Sequence, residues 1–230
     1  MALATDGDIG EGAVPRWNAW GRRIIIVWGD EINDKKIKKY MSSDYIIDRE
    51  YKDEFFLDAD LKYKEFENCT FHYCDFTDCT FQTVTFVDCN FFDCNFKATK
   101  INYVSLRGVW FNRCDFTSVN FAMTDQVIFE FHFKDCLLDY AQFYALKLKK
   151  MQFINCSMIA VDFMGSDLTE VLFDNCNLRR TVFIDTILNK ADFYTSYDYT
   201  MDLEKNKVKK AIFSTDGLKG LLEKYDIIVK

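Results

Sequence analysis

The chain has 230 residues, of which 49% are hydrophobic and 28% charged, and its formal net charge is −7 at pH 7. This composition predicts one ordinary domain with enough apolar residues to fill a core. The negative charge disfavours direct binding to the phosphate backbone of nucleic acids. Because no apolar run reaches the roughly 18 residues that a membrane-spanning helix needs, we expect no membrane association.

Residues 1–40 differ in composition from the rest of the chain. They contain the single proline, Pro15, and three of the four tryptophans. The apolar run at 24–28 is too short for a secretory signal peptide, and we interpret it as a single strand or as an arm that adheres to another surface. We interpret 1–40 as an N-terminal extension, disordered or added to the natural chain, with Met41 as an alternative start.

Residues 41–60 lead into a regular pattern and are rich in acidic residues between Asp48 and Asp60. Charged side chains at an exposed sheet edge prevent pairing with other chains, and terminal repeats of solenoids need a polar outer face. The segment is therefore predicted to be an N-terminal cap.

From Leu61 to Phe193 a large apolar residue returns every five positions, and a small or aliphatic residue stands two positions before most of them. Five residues advance a helix by about 500°, and five is odd for a flat strand, so neither element keeps these residues on one face. The pattern requires a corner once in every five residues, after which each central residue again points to a common interior. Predicted core residues of this kind are Phe71, Phe91, Phe111, Phe133, Phe153, Phe173 and Phe193.

A separation of 20 residues groups aromatic with aromatic and aliphatic with aliphatic, whereas a separation of 15 mixes them. Four sides per coil are therefore predicted, which makes the fold all-β, a four-sided parallel β-helix. The nine cysteines occupy the small inward position, and we assign them to the core rather than to disulfides or metal. At the separation of 20, Cys74, Cys94 and Cys114 form one column, and Cys136, Cys156 and Cys176 form another. Many unpaired thiols favour a reducing compartment, hence the cytoplasm.

Individual five-residue units resemble the pentapeptide-repeat family, whose pattern is A(D/N)LXX. Matching units are Cys74-Asp75-Phe76, Cys114-Asp115-Phe116, Ser166-Asp167-Leu168 and Ala191-Asp192-Phe193. The resemblance implies a right-handed quadrilateral β-helix over residues 61–193. Here Cys or Val replaces much of the usual Ala, and Phe is favoured over Leu, which predicts a bulkier core.

The repeat is interrupted at 122–127, where the spacing between Phe121 and Ile128 is seven instead of five. A neutral bulge is the favoured interpretation, and an interaction loop is the alternative, because interruptions of solenoids project from the wall. In the second case Asp125 and Gln126 are candidate partner-binding residues.

Aspartates recur directly before the central residues of the repeat. A carboxylate at that position can accept backbone N–H bonds at the corner, which is the favoured role. Three of them, Asp75, Asp115 and Asp167, are also candidate partner-binding residues.

Residues 194–230 are predicted to form a C-terminal cap with a helix near 215–225. Leu218, Leu221, Leu222 and Tyr225 follow the spacing i, i+3, i+4, i+7 and share one helical face. This face is expected to cover the end of the β-helix. Alternatively it forms a homodimer contact, since the resemblance implies a two-fold interface at this end in several family members.

The sequence contains no catalytic constellation and no glycine motif for nucleotides. We expect no enzymatic activity, no cofactor and no metal. The first hypothesis is an interaction or scaffold protein with an unidentified protein partner. The alternative, implied by the resemblance, is a DNA mimic that binds bacterial DNA gyrase or a related topoisomerase and protects it from quinolones or toxins.

Overall fold

A computed structural model describes residues 45–124 and 129–228, together with two strands at 13–17 and 23–27. The chain divides into two compact units, Met1–Ile46 and Ile47–Lys230. In the first unit, strand β1 (Ala13–Trp17) pairs antiparallel with β2 (Arg23–Val27). The apolar run near residue 24 is thus one arm of a hairpin, and the rest of the predicted extension lies outside the described residues.

Short strands follow along the chain, most of them three residues long. They are β3 (Tyr45–Ile47), β4 (Glu50–Lys52), β5 (Glu65–Glu67), β6 (Thr70–His72), β7 (Thr85–Val87), β8 (Asn90–Phe92), β9 (Ser105–Asn112), β10 (Phe129–Lys134), β11 (Gln152–Ile154) and β12 (Leu172–Asp174). Pairing in the second unit is parallel and mostly 20 residues apart, as between Phe71 of β6 and Phe91 of β8. Isolated bridges such as that between Asp75 and Asn95 keep the same separation. The predicted parallel β-helix is confirmed.

Inward residues form four columns, one behind each face of the β-helix. Column A contains Tyr51, Phe71, Phe91, Phe111, Phe133, Phe153, Phe173, Phe193 and Phe213. Column B contains Phe56, Phe76, Phe96, Phe116, Leu138, Met158 and Leu178. Column C contains Leu61, Phe81, Ile101, Phe121, Phe143, Phe163 and Phe183. Column D contains Phe66, Phe86, Leu106, Leu148, Leu168, Leu188 and Val208. All are buried except Tyr51, Val208 and Phe213 at the ends, which are partly exposed.

The nine rings of column A stack continuously along the axis. Their centroid separations range from 4.5 Å for Phe71–Phe91 to 5.6 Å for Phe133–Phe153. Rings of neighbouring columns meet edge to face, as Phe71 and Phe76 do at 5.9 Å. Such aromatic pairs contribute about 0.5–1.5 kcal/mol each beyond area burial.

Each corner is made by the residue two positions after the inward residue. This residue has a positive φ at most corners: of the 27 non-glycine residues with positive φ in the described chain, all but Asp198 and Asp226 stand at this position. At Asp93, for example, φ is 54°, and the backbone N–H donates to the Asn112 carbonyl of the following coil at 2.9 Å. Left-handed backbone costs an L-residue roughly 1–2 kcal/mol, least for Asp and Asn.

One coil is two residues longer than the others. Phe121 stacks on Phe143 at 4.5 Å, and Phe111 on Phe133 at 5.3 Å, each pair being 22 residues apart. The interruption predicted at 122–127 lies in this coil. Its residues 125–128, which include Asp125, Gln126 and Ile128, are outside the described part of the chain.

Strand β10, which follows the interruption at 122–127, also lacks a corner. Phe129 of β10 pairs with Leu106 of β9, and Phe131 pairs with Val109, so that Gly108 has no opposite residue. Phe131 is fully buried at a position that elsewhere holds a small residue, and its ring lies 5.8 Å from that of Phe121. The five-residue spacing predicted Ile128 as the residue opposite Leu106. In the structure Phe129 pairs with Leu106 instead.

Polar residues at the small inward position donate a hydrogen bond to a carbonyl of the preceding coil. Thr99 Oγ1 donates to the Phe76 carbonyl at 2.9 Å, and Ser196 Oγ donates to the Phe173 carbonyl at 2.8 Å. Cys79 Sγ does the same toward Phe56 at 3.0 Å. The cysteines are therefore weak donors as well as small core residues.

Little helix is present in the second unit. Helix α1 spans Asp58–Leu61 and α2 spans Leu218–Leu222, with 3₁₀ turns at Leu203–Lys205 and Glu223–Tyr225. Helix α2 confirms the predicted short C-terminal helix. In the part of the chain that the structure describes, no helix is long and apolar enough to span a bilayer.

Replacing Gly108 by Ala should destabilise the protein for two reasons. Its φ is +63°, and an added Cβ would overlap the Asp88 carboxylate. Gly165 is the matched control, because its φ is +70° while the nearest atom to an added Cβ is 3.9 Å away, in Ala145. We expect urea unfolding to give about 1 kcal/mol of destabilisation for Gly165→Ala and about twice that for Gly108→Ala. The excess should disappear in an Asp88→Ala background; equal costs for the two glycines would contradict the overlap.

The thiols should be unreactive while the protein is folded. All nine cysteines are buried and free. Burial raises the pKa of Cys89 to about 12. Burial, with Asp58 and Asp75 nearby, raises the pKa of Cys79 to about 11. Because the thiolate is the reactive form, Ellman's reagent at pH 8 should modify no thiol of the native protein and nine in denaturant. Fast modification without denaturant would refute this.

Candidate protein-interaction surfaces

The aspartates predicted as candidate partner-binding residues are engaged within the chain. In each case the Oδ1 atom accepts bonds from the backbone N–H and the hydroxyl of the threonine two positions later. These pairs are Asp75–Thr77, Asp115–Thr117 and Asp167–Thr169. The distances are 2.9–3.1 Å to the amide and 2.5–2.6 Å to the hydroxyl. Such local bonds close a turn, which is the favoured structural role for these carboxylates.

Two of these carboxylates are also neutralised by a lysine of the preceding coil. Lys97 Nζ lies 2.9 Å from Asp115 Oδ2, and Lys149 Nζ lies 3.1 Å from Asp167 Oδ2. Burial alone would raise the pKa of both carboxyls, but the threonine and lysine bonds hold each pKa below its ordinary value. These groups are therefore ionised and already paired at neutral pH, which leaves them little free charge for a partner.

The predicted core residues all lie inside the β-helix and are inaccessible to a partner. This applies to Phe71, Phe91, Phe111, Phe133, Phe153, Phe173, Phe193, Cys74, Cys94, Cys114, Cys136, Cys156 and Cys176. Among the described residues, no group of three or more His, Cys, Asp or Glu side chains is arranged to hold a metal ion.

The C-terminal cap covers the end of the β-helix only in part. Leu221 is 6% exposed, whereas Leu218 and Tyr225 of the same predicted face are exposed and Leu222 is intermediate. Lys224 anchors the cap, with Nζ 2.6 Å from Asp202 Oδ1 and 2.9 Å from Glu204 Oε2.

The inward residues of the last coil therefore remain partly open to solvent. Val208 and Phe213, the final members of columns D and A, are only half-buried. Phe213 stacks on Phe193 at 5.2 Å but has no ring above it among the described residues. The end of the β-helix thus retains an apolar surface.

A row of exposed apolar side chains on the face outside column C was not predicted from the sequence. We call this row the face C stripe; its members are Tyr103, Met123, Tyr144, Met164 and Ile184. They lie on five consecutive coils and are between 39% and 63% exposed. Tyr103 and Met123 stand two positions after the inward residue of their coils, and the other three stand directly after it, so the row is offset by one position between Met123 and Tyr144. The Tyr103 N–H donates to the Met123 carbonyl at 2.8 Å.

The sequence did contain a signal for this stripe. Tyr144, Met164 and Ile184 each follow an inward phenylalanine directly, at separations of 20. Contiguous apolar patches on a protein surface mark interaction sites more often than scattered residues do. At its C-terminal end the stripe continues into an open groove beside the cap, lined by Val182, Ile184, Met201 and Lys224 among others.

Outward charges are distributed unevenly along the β-helix. The N-terminal coils of the faces outside columns B and D are mainly acidic. Their outward acidic residues are Asp58, Glu65, Glu67, Asp75, Asp78, Asp88, Asp115, Glu130 and Asp139. Lys97 interrupts this region on face B and Arg107 interrupts it on face D. Arg179 and Arg180 follow it on face B, so the acidic surface does not extend along the whole β-helix.

Comparison with known proteins agrees with this architecture. A family model described as a pentapeptide repeat region matches residues 104–183 and 126–213. No curated protein matches the chain significantly. Trypsin-treated QnrB1, a plasmid-mediated fluoroquinolone resistance protein, superposes with a TM-score of 0.54 at 15% identity, over 79% of this chain and 98% of that chain. HetL, a pentapeptide repeat protein involved in heterocyst differentiation regulation in the cyanobacterium Nostoc sp. strain PCC 7120, gives a TM-score of 0.41 at 15% identity, over 81% and 99%.

The QnrB1 superposition concerns the fold alone, since the two sequences are only 15% identical. The family match covers the long coil and the coils that follow it. Together with the five-residue period and the 20-residue coil, it shows that residues 104–213 belong to the pentapeptide-repeat family.

Proposed function

We propose that the protein is a non-enzymatic scaffold that binds a partner protein through the face C stripe. The observation that carries the proposal is the succession of five large exposed apolar side chains on one face of consecutive coils. Coils of a β-helix are about 4.8 Å apart, so the stripe is about 20 Å long. That length matches an extended segment of six residues or a helix of about four turns.

The surroundings of the stripe favour an apolar partner segment. Beside it, the outward positions of the same coils hold mainly small or uncharged residues, such as Asn120, Ala122, Gln142 and Gly165. The charged residues at these positions are Lys100, Asp162 and Asp185, and Asp162 Oδ1 accepts the Met164 backbone N–H at 2.8 Å. Methionine side chains adapt readily to different apolar surfaces. We therefore expect the partner to present apolar side chains along one edge, without a cofactor.

The nine free thiols also support placing this protein in a reducing compartment, and we propose the cytoplasm. Self-association through the C-terminal end is part of the same proposal. It is supported by the half-buried Val208 and Phe213 and by the exposed Leu218 and Tyr225.

A paired affinity experiment tests the stripe. The double variant Tyr144→Glu, Met164→Glu places two charges in its centre, where they would have to be desolvated on binding. The amount of protein that the wild type captures should fall at least tenfold with this variant. Gln152→Glu, Asn175→Glu adds the same charge on the face outside column A and should retain them. Equal capture by both variants, each shown to be folded by thermal melting, would contradict the proposal.

The second candidate function is binding to DNA gyrase as a DNA mimic. It is supported by the acidic N-terminal coils described above, and by the fold shared with QnrB1, a fluoroquinolone resistance protein. Purified protein should then inhibit gyrase supercoiling or relieve quinolone-poisoned cleavage. Neutralising exposed carboxylates with Asp58→Asn, Asp78→Asn should weaken that effect several-fold. No effect at micromolar protein would argue against this candidate.

A further inference from the structure

The face outside column D, called face D below, has opposite charges on its two halves. Its outward residues stand directly before, directly after and two after the inward residue of each coil. In the N-terminal half the charged ones are Glu65, Glu67, Asp88, Arg107 and Glu130. In the C-terminal half they are Lys147, Lys149, Lys150, Asp167, Glu170, Lys190, Lys207, Lys209 and Lys210. The first half is therefore mainly acidic and the second mainly basic.

Ion pairs within the chain neutralise only part of this charge. Glu170 is shared by Lys190 at 2.6 Å and Lys150 at 4.0 Å, and Asp167 is paired with Lys149 at 3.1 Å. Asp88, Glu130 and most of the lysines are exposed. Glu65, Glu67 and Arg107 have contacts inside the chain and are partly exposed.

These charges lie on eight consecutive coils. When the order of the coils is reversed and set against the original order, opposite charges come together in each pair of coils. Consider a second copy related by a two-fold axis that lies in the interface and runs along the strands, midway between the coils of Glu130 and Lys147. This axis places the first coil opposite the eighth and leaves each outward position opposite the same position of the copy. The residues brought face to face are Glu65 with Lys207, Glu67 with Lys209, Asp88 with Lys190, and Glu130 with Lys149.

The exceptions to the charge pattern match as well. Arg107 is the one basic residue in the acidic half; it comes opposite Thr169, between Asp167 and Glu170, the acidic residues of the basic half. All four coil pairs therefore bring opposite charges together. Because the interface is two-fold, each pair occurs twice.

We propose that face D is a self-recognition surface through which two copies of this chain associate antiparallel. The contact is about 35 Å long, from the coil of Glu65 to that of Lys210. It contains few large apolar side chains, and exposed ion pairs contribute little each. The association is therefore weak and reversible, with a dissociation constant of about 10 μM or more, and it falls as salt screens the charges.

A second copy fits this face better than a nucleic acid does. A polyanion would be attracted to the lysines at 207–210 but repelled by the acidic half of the same face, and the net charge of the chain is −7. Only a partner whose charge also reverses along its length satisfies both halves.

Charge reversal with mixing tests the proposal by sedimentation equilibrium at about 100 μM protein. All proteins are compared in a Phe213→Glu background, which removes association through the C-terminal end; without further substitution this protein should approach twice 27.1 kDa at 50 mM salt and return toward 27.1 kDa at 500 mM salt. Variant Asp88→Lys, Glu130→Lys places lysines opposite Lys190 and Lys149 of the copy, and variant Lys149→Glu, Lys190→Glu places glutamates opposite Glu130 and Asp88 of the copy, so each variant brings like charges face to face. Each should be monomeric alone, whereas an equimolar mixture should form a dimer, because the two variants complement each other.

Two control variants separate this contact from others. Lys62→Glu, Lys100→Glu changes the charge equally on the face outside column C and should leave the dimer intact. Phe213→Glu disrupts the C-terminal end and should also leave the salt-sensitive dimer intact. A wild type that is monomeric at low salt, a dimer lost only with Phe213→Glu, or a mixture that stays monomeric would each overturn the proposal. So would duplex DNA binding that the Lys149→Glu, Lys190→Glu variant abolishes in a protein that does not self-associate.

Discussion

A left-handed residue at each corner is the constraint on which this β-helix depends. It turns the chain after a short side, and its backbone N–H then points along the axis to a carbonyl of the following coil, as Asp93 does toward Asn112. The cost of the left-handed conformation is thus offset locally by a coil-to-coil hydrogen bond and by the burial of the next inward ring. Where a corner is missing, after Glu130, the opposite strand has a glycine, Gly108, with no residue to pair with.

Contacts between successive coils follow from this geometry. Stacked rings, inward hydroxyl and thiol donors, and charged or amide side chains all interact mainly with the coil directly before or after. Arg113, for instance, makes two bonds of 2.7 Å to Asp93, 20 residues earlier. Stability in such a structure is close to a sum of coil and nearest-neighbour terms, so a local defect weakens its own coil and the two next to it.

The period of five and the separation of 20 were sufficient to predict the fold, because buried columns require like residues to stack on like. The corner residue was not predicted, since its position accepts Tyr73, Ala98 and Lys150 as well as the expected Asp and Asn. Burial of the large Phe131 at a small position depends on the missing corner beside it, which the spacing does not reveal. For the candidate site, Asp115 and Asp167 were identified by their place in the repeat, but their threonine and lysine partners emerge only from distances in space. The face C stripe consists of residues that follow inward positions, and their exposure depends on which neighbours are small.

The two-residue extension of one coil has a consequence for recognition. A regular β-helix looks the same after each step of one coil, so a partner bound to its wall could shift along the axis with little loss of contact. The long coil breaks that translational symmetry, because it differs from the coils before and after it. A partner that contacts the wall on both sides of Phe131 can bind in one register only. The irregularity thereby gives a repetitive surface one defined binding position.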